Sequence, residues 1–258
     1  MMDAFDLIVK KIKKKPEFSN LPDSLVSDYL SDFLKKHNLS TESLNDKEQK
    51  IIIKEIRAKL RSITGQFQKT TKRSKLLSAN NYHELLKTHS STFERLDFYP
   101  KIKEIINNLN VSSILDLGCG LNPIALAEPK YLYYASDIRE DELSIIKDFF
   151  LKNNIKGKVF SYDLRKIKEG DIPNVDLCIL FKVLDVIEKK SHKLANKILD
   201  MINCRYFLAS FATKKLSGKK MAFPERRWFE RILERKSYKF DKFNSNSEIF
   251  YLIYKLPQ

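Results

Sequence analysis

An apolar run that ends in a carboxylate and a glycine-rich turn is the segment of this sequence with the clearest chemical meaning. Residues Ser113–Gly120 read S-I-L-D-L-G-C-G. In open α/β sheets, ligands bind beyond the carboxyl ends of the strands, and glycines there let a ligand approach the backbone. Pro123 stands where the third glycine of a dinucleotide-binding fingerprint would lie, which disfavours a nicotinamide dinucleotide. We therefore expect a nucleotide-like cofactor at this turn.

Two further carboxylates follow the next two predicted strands. Asp137 closes the first of them, at about the distance where such folds hold a ribose, and its two oxygens suit both ribose hydroxyls. Asp163 follows the second strand, where an adenine amino group could be bound. The alternative for both residues is that they only cap helices or turns, because aspartate is common at such positions.

Short apolar runs that alternate with helical segments must position these side chains. Strands are predicted at Ser112–Leu117, Tyr131–Ser136, Lys158–Tyr162, Leu177–Phe181, Tyr206–Phe211, Tyr238–Phe243 and Ile249–Leu256. Helices are predicted at Asp141–Asn153, Lys189–Met201 and Trp228–Arg235. This order predicts an α/β fold with a doubly wound, mainly parallel sheet of seven strands that ends in an edge hairpin.

The first 109 residues have a different pattern, because their apolar residues recur at helical spacing. Leu25, Tyr29 and Phe33 are one example. The pairs Pro22-Asp23 and Asn45-Asp46 are typical of helix starts. The sequence therefore predicts a basic helical domain over residues 1–109 and an α/β domain over residues 110–258.

Composition excludes several classes of protein. The chain has 258 residues, 43% of them hydrophobic, so it is not disordered, collagen-like or of low complexity. Cys119, Cys178 and Cys204 lie far apart, so we expect neither a metal site nor a disulfide framework. The first 15 residues lack the apolar core of a signal peptide, and no stretch resembles a membrane span. A soluble, cytoplasmic protein without a membrane partner is expected.

The formal net charge of +15 favours a polyanionic partner, and the basic residues are clustered. One cluster extends from Lys54 to Lys87, and a second begins at Lys214. The candidate RNA-binding residues in these clusters are Lys54, Arg57, Lys59, Arg61, Lys69, Lys72, Arg73, Lys75, Lys214, Lys215, Ser217, Lys219 and Lys220. The alternative explanation for the charge is a general bias towards lysine.

Three motifs in order resemble one enzyme family. The D-x-G-x-G pattern of Asp116–Gly120 resembles the first motif of class I S-adenosylmethionine-dependent methyltransferases. His89–Arg95 (HSSTFER) precedes it, Gly118–Pro123 (GCGLNP) overlaps it, and Leu216–Lys219 (LSGK) comes late. Together they resemble the aminoglycoside-resistance 16S rRNA (guanine-N7) methyltransferase family, from about Tyr82 onward. The resemblance implies a Rossmann-like fold, S-adenosylmethionine as cofactor and S-adenosylhomocysteine as product.

The resemblance also implies which residues form the site. Arg95 would bind the carboxylate of the cofactor, and Asp137 would hold its ribose. Lys182 and Leu184 would lie near the methyl group. The full set of implied cofactor-binding residues is His89, Ser91, Thr92, Arg95, Gly118, Cys119, Gly120, Asn122, Pro123, Asp137, Ile138, Asp163, Leu164 and Phe181. Residues 81–109 would thus contribute to the cofactor site, although His89 could also be an ordinary core or helix-end histidine.

No catalytic side chain and no metal are expected. Guanine N7 carries an unprotonated lone pair that can attack the sulfonium methyl group, so placement of the two reactants is enough. The sequence departs from the family pattern at Asp185 and Ala212, where proline is usual, and in a shorter loop after Gly218. That loop would help to engage the target nucleotide.

The implied partner is 16S rRNA within the 30S subunit, bound by a protein that acts as a monomer. One alternative is a methyltransferase of another rRNA or tRNA base, such as adenine N1 of the A site. Another alternative is a noncatalytic RNA-binding protein that keeps a vestigial cofactor fold. The first would share the cofactor pocket, and the second would bind cofactor without methyl transfer.

Overall fold

Two compact units make up the chain. The computed structural model describes residues 3–61, 73–188, 191–214, 218–219, 221–222 and 224–255. The first unit comprises Met1–Gln68 and Ile138–Asp141, and the second comprises Lys69–Asp137 and Glu142–Gln258. Each unit buries hydrophobic residues of its own.

The first unit is helical, as the apolar spacing predicted. Its helices are α1 (Ala4–Lys13), α2 (Pro16–Ser19), α3 (Asp23–His37) and α4 (Asp46–Leu60). Helix α3 begins directly after Pro22, and α4 begins after Asn45. The Asn45 side chain accepts from the backbone N–H of Glu48 at 3.0 Å, and the Glu48 carboxylate accepts from the Asn45 N–H at 2.9 Å. This reciprocal capping satisfies donors that the first turn of a helix leaves without partners.

The second unit contains the predicted sheet and the helices that cover it. Its helices are α5 (Arg73–Ser78), α6 (Tyr82–Lys87), α7 (Ser90–Glu94), α8 (Tyr99–Asn108), α9 (Asn122–Leu126), α10 (Glu140–Lys152, apart from its first two residues), α11 (Val183–Ile187), α12 (Lys193–Met201) and α13 (Arg227–Arg235). Its strands are β1 (Ser113–Leu117), β2 (Leu132–Asp137), β3 (Lys156–Ser161), β4 (Val175–Phe181), β5 (Cys204–Ala212), β6 (Lys239–Asn244) and β7 (Glu248–Tyr254).

The strand order confirms the predicted doubly wound fold. Among the described residues the sheet has seven strands in the order β3-β2-β1-β4-β5-β7-β6. Strands β1 to β5 pair in parallel, and β7 pairs antiparallel with both β5 and β6. The chain winds outward in one direction from β1 to β3 and in the other from β4, so the strand order reverses between β1 and β4. Ligands bind at the carboxyl edge of such a reversal.

Both faces of the central strands are buried, which explains their continuous apolar runs. Ile114 and Leu115 are neighbours in β1, yet each belongs to a different hydrophobic cluster. The cluster around Ile114 includes side chains of α8 and α10, such as Ile102 and Phe149. The cluster around Leu115 includes side chains of α12 and α13. The sheet is therefore the middle layer of three.

Most predicted strands and helices lie within two residues of their observed bounds, and differences at β3, α12 and α11 are informative. Strand β3 begins at Lys156, two residues before its predicted start. Glycine usually weakens strands, but Gly157 is part of β3 and pairs with Tyr133. The φ of Gly157 is +140°, and a Cβ atom there would lie 1.8 Å from the Tyr133 carbonyl oxygen, so only glycine fits. The described part of the helix predicted from Lys189 begins at Lys193. Helix α11 was not predicted, because five residues are too few for helical spacing to appear.

Candidate active site

The glycine-rich turn lies directly after β1, at the carboxyl edge of the sheet. Gly118 and Gly120 have φ of +66° and +48°, a backbone conformation that favours glycine. The Gly120 N–H donates to Asp137 Oδ2 at 2.9 Å, and the Cys119 N–H donates to the Ser136 carbonyl oxygen at 2.9 Å. The end of β2 therefore fixes the turn through one side chain and one backbone group.

Close neighbours explain why both glycines lack side chains. A Cβ atom on Gly118 would lie 2.8 Å from Val183 Cγ2, and one on Gly120 would lie 3.1 Å from His89 Nε2. The structure thus brings His89 to the turn, and its contact with the cofactor stays a prediction. It also brings the residues after β4 to the same turn.

Asp137 and Asp163 have different surroundings at this edge. Asp137 is half-buried and accepts the Gly120 N–H, so one carboxylate contacts the turn at the position expected for a ribose ligand. Asp163 accepts from the Arg165 backbone N–H at 3.0 Å and forms an ion pair with the Arg165 guanidinium at 2.5 Å. Asp163 therefore caps a turn, the alternative that the sequence left open, and its contact with adenine stays a prediction.

Arg95 is completely buried, and protein groups surround its guanidinium. It donates to Glu248 Oε2 at 2.8 Å, to Asn122 Oδ1 at 2.7 Å and to Ser91 Oγ at 3.2 Å. Its guanidinium carbon also lies 4.5 Å from the centre of the Phe181 ring. In this structure the carboxylate that pairs with Arg95 is that of Glu248, and a direct contact with the cofactor stays a prediction.

Glu248 is the site residue that sequence reasoning missed. It is the first residue of β7, it is fully buried, and it also accepts from Ser210 Oγ at 2.6 Å. Burial alone would raise the pKa of Glu248, but the charges of Arg95 and Lys182 outweigh it and lower the pKa. For Arg95, burial opposes the charged form, and the attraction of Glu248 still raises its pKa. Both groups are therefore charged at neutral pH.

Lys182 connects this buried pair to the surface. Its φ is +57°, in the left-handed region, at the step from β4 into α11. Its ammonium group lies 3.4 Å from Glu248 Oε1 and 2.5 Å from Glu94 Oε2. Leu184, the other residue expected near the methyl group, is fully buried in the hydrophobic cluster of α12 and α13. Of the two residues expected near the methyl group, Lys182 is thus the one with a polar side chain.

Asp116 forms the floor of the site beneath the glycine-rich turn. It is completely buried in β1, and the Tyr133 hydroxyl donates to its Oδ2 at 3.0 Å. Burial raises the pKa of Asp116 to about 7, although the hydrogen bond from Tyr133 and the charge of Arg95 act in the opposite direction. Asn122 lies nearby and accepts from Tyr99 at 2.8 Å as well as from Arg95. Hydrogen bonds thus join Asp116 to Tyr133, and Asn122 to both Arg95 and Tyr99.

The remaining predicted cofactor residues are mostly internal. Thr92 is buried and donates to the backbone carbonyl oxygens of Leu86 and His89. Pro123 is buried in the first turn of α9, and Leu164 is buried in the hydrophobic cluster of α12 and α13. Burial raises the pKa of the Cys119 thiol. Ile138 belongs to the first unit and packs on the core of that unit.

The candidate RNA-binding residues divide into exposed and internally bonded groups. Lys54, Lys59, Lys75 and Lys219 are exposed, and Lys214 is half-buried. Lys69, Lys72, Lys215, Ser217 and Lys220 lie outside the described residues.

Three candidate arginines contact other parts of the protein. Arg57 donates to the carbonyl oxygens of Lys11 and Ile12, and Arg61 forms an ion pair with Glu17 at 2.6 Å. Arg73 donates to Thr88 Oγ1 at 2.8 Å and forms an ion pair with Glu142 at 3.0 Å. These contacts give each arginine a structural role, and contact with RNA stays a prediction.

The described part of the chain contains neither a metal-binding cluster nor a membrane-spanning helix. There, no group of three or more His, Cys, Asp or Glu side chains could hold a metal ion. None of the described helices is long and apolar enough to cross a membrane.

Two proteins of similar sequence are described as 16S rRNA methyltransferases. The chain is 28% identical over 225 residues to a 16S rRNA (guanine(1405)-N(7))-methyltransferase of Serratia marcescens, a match that covers 84% of this chain and 88% of that protein. A protein of the same description from Micromonospora rosea is 26% identical over 180 residues, which cover 66% of this chain and 64% of that protein.

Solved structures share the fold. The structure of 16S rRNA methyltransferase RmtF in complex with S-adenosyl-L-homocysteine superposes with a TM-score of 0.84 at 22% identity, over 99% of this chain and 100% of that chain. The 16S rRNA methylase ArmA superposes with a TM-score of 0.58 at 29% identity, over 73% of this chain and 100% of that chain. A family model described as ribosomal RNA methyltransferase (FmrO) matches residues 56–253, well over half of the chain. The chain therefore belongs to the FmrO family of ribosomal RNA methyltransferases.

Proposed function

We propose that this chain transfers a methyl group from S-adenosylmethionine to N7 of a guanine in the decoding A site of 16S rRNA, within the assembled 30S subunit. The observation that carries the proposal is the glycine-rich turn joined to Asp137 at the strand reversal, in a chain of this family. Relatives described as 16S rRNA (guanine-N7)-methyltransferases support the choice of RNA and base.

The residues present fit the nucleoside part of S-adenosylmethionine. Asp137 offers a half-buried carboxylate for the ribose hydroxyls, and the two glycines keep side chains out of the turn. The cofactor supplies an electrophilic methyl group when it is bound. Arg95, Asn122 and Tyr99 would stabilise the floor beneath the methionine part through their hydrogen bonds.

Placement is the chemical task that remains for the protein. Guanine N7 has a lone pair and no proton to lose, so no side chain has to act as a general base. A reaction of this kind gains most of its rate from holding the two reacting atoms in line and in contact. Lys182, on the step from β4 into α11, is the charged side chain at the position expected near the acceptor. We propose that it orients the target nucleotide.

The two parts of the chain would divide the work. Residues 1–109 would dock on rRNA through basic side chains, and residues 110–258 would bind the cofactor, with His89 and Arg95 contributed by 81–109. A single copy of the chain would be enough, and light scattering of the free protein tests this. Ribosomes modified in this way would resist aminoglycosides, which expression in a susceptible bacterium tests.

Cofactor binding is tested by Asp137→Ala. Because the substitution removes charge-assisted hydrogen bonds to the ribose, we expect a loss of about 1–3 kcal/mol of binding free energy. Calorimetry with S-adenosylmethionine measures it. Asp241→Ala is a matched control, since Asp241 is an exposed aspartate on the edge strand β6. Equal affinities of the two folded variants would remove Asp137 from the site.

The choice of RNA is tested by incubating 30S subunits, 50S subunits and tRNA with methyl-labelled cofactor. We expect label only in 16S rRNA of the 30S subunit. Label in tRNA or 23S rRNA would favour another target, and cofactor binding without transfer to any RNA would favour a noncatalytic RNA-binding protein.

A further inference from the structure

Arg226 forms a set of hydrogen bonds at the carboxyl edge of the sheet, directly before α13. It is 8% exposed, and its Nη2 and Nε atoms donate to Asp185 Oδ2 at 2.7 Å and 3.1 Å. Nη2 also donates to the Ala212 carbonyl oxygen at 2.9 Å, and Nη1 donates to the Pro224 carbonyl oxygen at 2.7 Å. The guanidinium carbon lies 5.5 Å from the centre of the Phe211 ring.

One guanidinium therefore joins three segments. Asp185 lies in α11, three residues after Lys182. Ala212 is the last residue of β5, and Pro224 lies just before α13. A planar guanidinium that donates through two nitrogen atoms to one carboxylate has a defined geometry, which a lysine cannot reproduce. The ends of β4 and β5 are thus held together by a side chain and not only by the β-ladder.

Both ends of this contact are acceptors that suit a guanidinium. Asp185 accepts through its carboxylate, and Ala212 accepts through its backbone carbonyl oxygen. Asn at position 185 would keep an acceptor oxygen but remove the charge, and Ala would remove the acceptor.

The strand order indicates which reactant this contact serves. The glycine-rich turn and Asp137 follow β1 and β2, on one side of the strand reversal. The Arg226 contacts follow β4 and β5, on the other side. Lys214, a candidate RNA-binding residue, also follows β5. The Arg226 cluster therefore borders the side from which the acceptor RNA would approach.

We propose that Arg226 is a positioning residue for the acceptor base, an inference that rests on the proposed function. By holding α11 against the end of β5, Arg226 fixes the backbone next to Lys182, the residue proposed to orient the target nucleotide. Loss of this contact displaces the acceptor without disturbing the nucleoside part of the cofactor site. A displacement of about 1 Å is enough to slow such a reaction by about 100-fold.

The test compares methyl transfer with cofactor affinity. Wild type, Arg226→Lys, Arg226→Ala and Asp185→Asn are assayed for single-turnover transfer to 30S subunits at saturating cofactor, and for cofactor affinity by calorimetry. We expect all three variants to slow transfer by about 10-fold to 100-fold, with cofactor affinity changed by less than about twofold. The exchanged pair Asp185→Arg with Arg226→Asp should recover part of the rate.

Arg205→Ala is the matched control. Arg205 lies near the start of β5 and forms an ion pair with Asp176 at 3.4 Å, at the opposite edge of the sheet. We expect its transfer rate to equal that of wild type. Thermal unfolding of each variant shows whether it is folded.

Three results would overturn the inference. Transfer at the wild-type rate by Arg226→Ala and Asp185→Asn would overturn it alone and leave the proposed function standing. A parallel loss of transfer and cofactor affinity in the folded Arg226→Lys variant would show a general structural role instead. A wild-type protein that transfers no methyl group to any RNA would overturn the proposed function together with this inference.

Discussion

Arg95 and Glu248 are both shielded completely from solvent, so each charge depends on the other. A buried ion pair contributes little net stability over apolar residues, but the loss of one partner leaves an uncompensated charge. Ser210, Asn122 and Ser91 provide the remaining hydrogen bonds around the pair. The network is therefore sensitive to any single substitution within it.

Replacement of Glu248 tests this dependence. Glu248→Gln keeps the size of the side chain and removes its charge, so Arg95 loses its counterion. We expect the free energy of unfolding to fall by about 3–5 kcal/mol. Urea denaturation measures the change. In Glu104→Gln, which breaks an exposed pair with Lys101, we expect less than about 1 kcal/mol. Similar losses in both variants would contradict the role of Glu248.

Asp116 gives the cofactor-free protein a distinctive pH dependence. Its pKa in the folded protein is about 7, against 3.8 for an ordinary aspartate, and burial is the main cause. Between these values the unfolded chain has lost the proton and the folded protein keeps it. Stability from this group is therefore complete below the lower pKa and falls as the pH rises through the higher one.

Asp116→Asn should remove that decline, because the amide mimics the neutral acid. The free energy of unfolding of the variant minus that of wild type should therefore increase as the pH rises. We expect this difference to increase by on the order of 3 kcal/mol from about pH 4 to about pH 8. Denaturant titrations at the two pH values provide the comparison. A constant difference between the two proteins would show that Asp116 is ionised in the folded state.

At the scale of elements, alternation of apolar runs and helical segments was enough to predict the sheet and its parallel strands. The glycine-rich turn and Asp137 were placed correctly at the strand ends, because their positions depend on local sequence. Glu248 was missed because it lies 153 residues from Arg95, and only the insertion of β7 beside β5 brings the two together. An isolated acid at the start of an apolar strand was the available signal.

Local sequence was also insufficient for the start of β3. Glycine is a residue type that is common in loops, so the sequence did not predict Gly157 to lie in a strand. Its close approach to the Tyr133 carbonyl oxygen requires glycine at this position of β3. The basic clusters illustrate the same difficulty, since Arg57, Arg61 and Arg73 bond within the protein. A sequence shows where basic residues cluster, but it does not show which of their side chains are exposed.

Gly157→Ala tests the pairing of β2 with β3. The new Cβ atom would lie 1.8 Å from the Tyr133 carbonyl oxygen, so the strands must separate locally. We expect a loss of at least about 3 kcal/mol in the free energy of unfolding. Gly170→Ala is the control, because its φ is also positive, at +81°, but no atom lies within 4 Å. Its expected cost is about 1 kcal/mol. Equal costs would argue against the close strand contact.

At the scale of the whole molecule, the excess of positive charge should determine how the protein binds ribosomes. Lys54 and Lys59 are exposed on α4, and neutral Gln at both positions should weaken binding to 30S subunits. Each phosphate contact releases counterions, so the slope of log K against log salt should become shallower by about two. Binding titrations at several salt concentrations measure the slope.

Lys101→Gln with Lys103→Gln is the control for this prediction. Both lysines lie on α8, and each forms an ion pair with a glutamate, Glu104 or Glu128. We expect the slope of this variant to match that of wild type. An unchanged slope in the Lys54 and Lys59 variant would show that this face of α4 does not contact rRNA.

The proposed methyl transfer is directed at one atom, N7 of a guanine, in one particle, the 30S subunit. Intact 30S subunits, naked 16S rRNA and an isolated A-site hairpin are incubated with the wild-type protein and cofactor, and the modified nucleotide is located by chemical cleavage specific for N7-methylguanine. We expect cleavage at a guanine of the decoding A site in 30S subunits and little in the other two RNAs, because only a preformed surface collects many weak phosphate contacts. Methylation of another atom or base would contradict the proposed target, and equal methylation of the hairpin would contradict the requirement for an assembled 30S subunit.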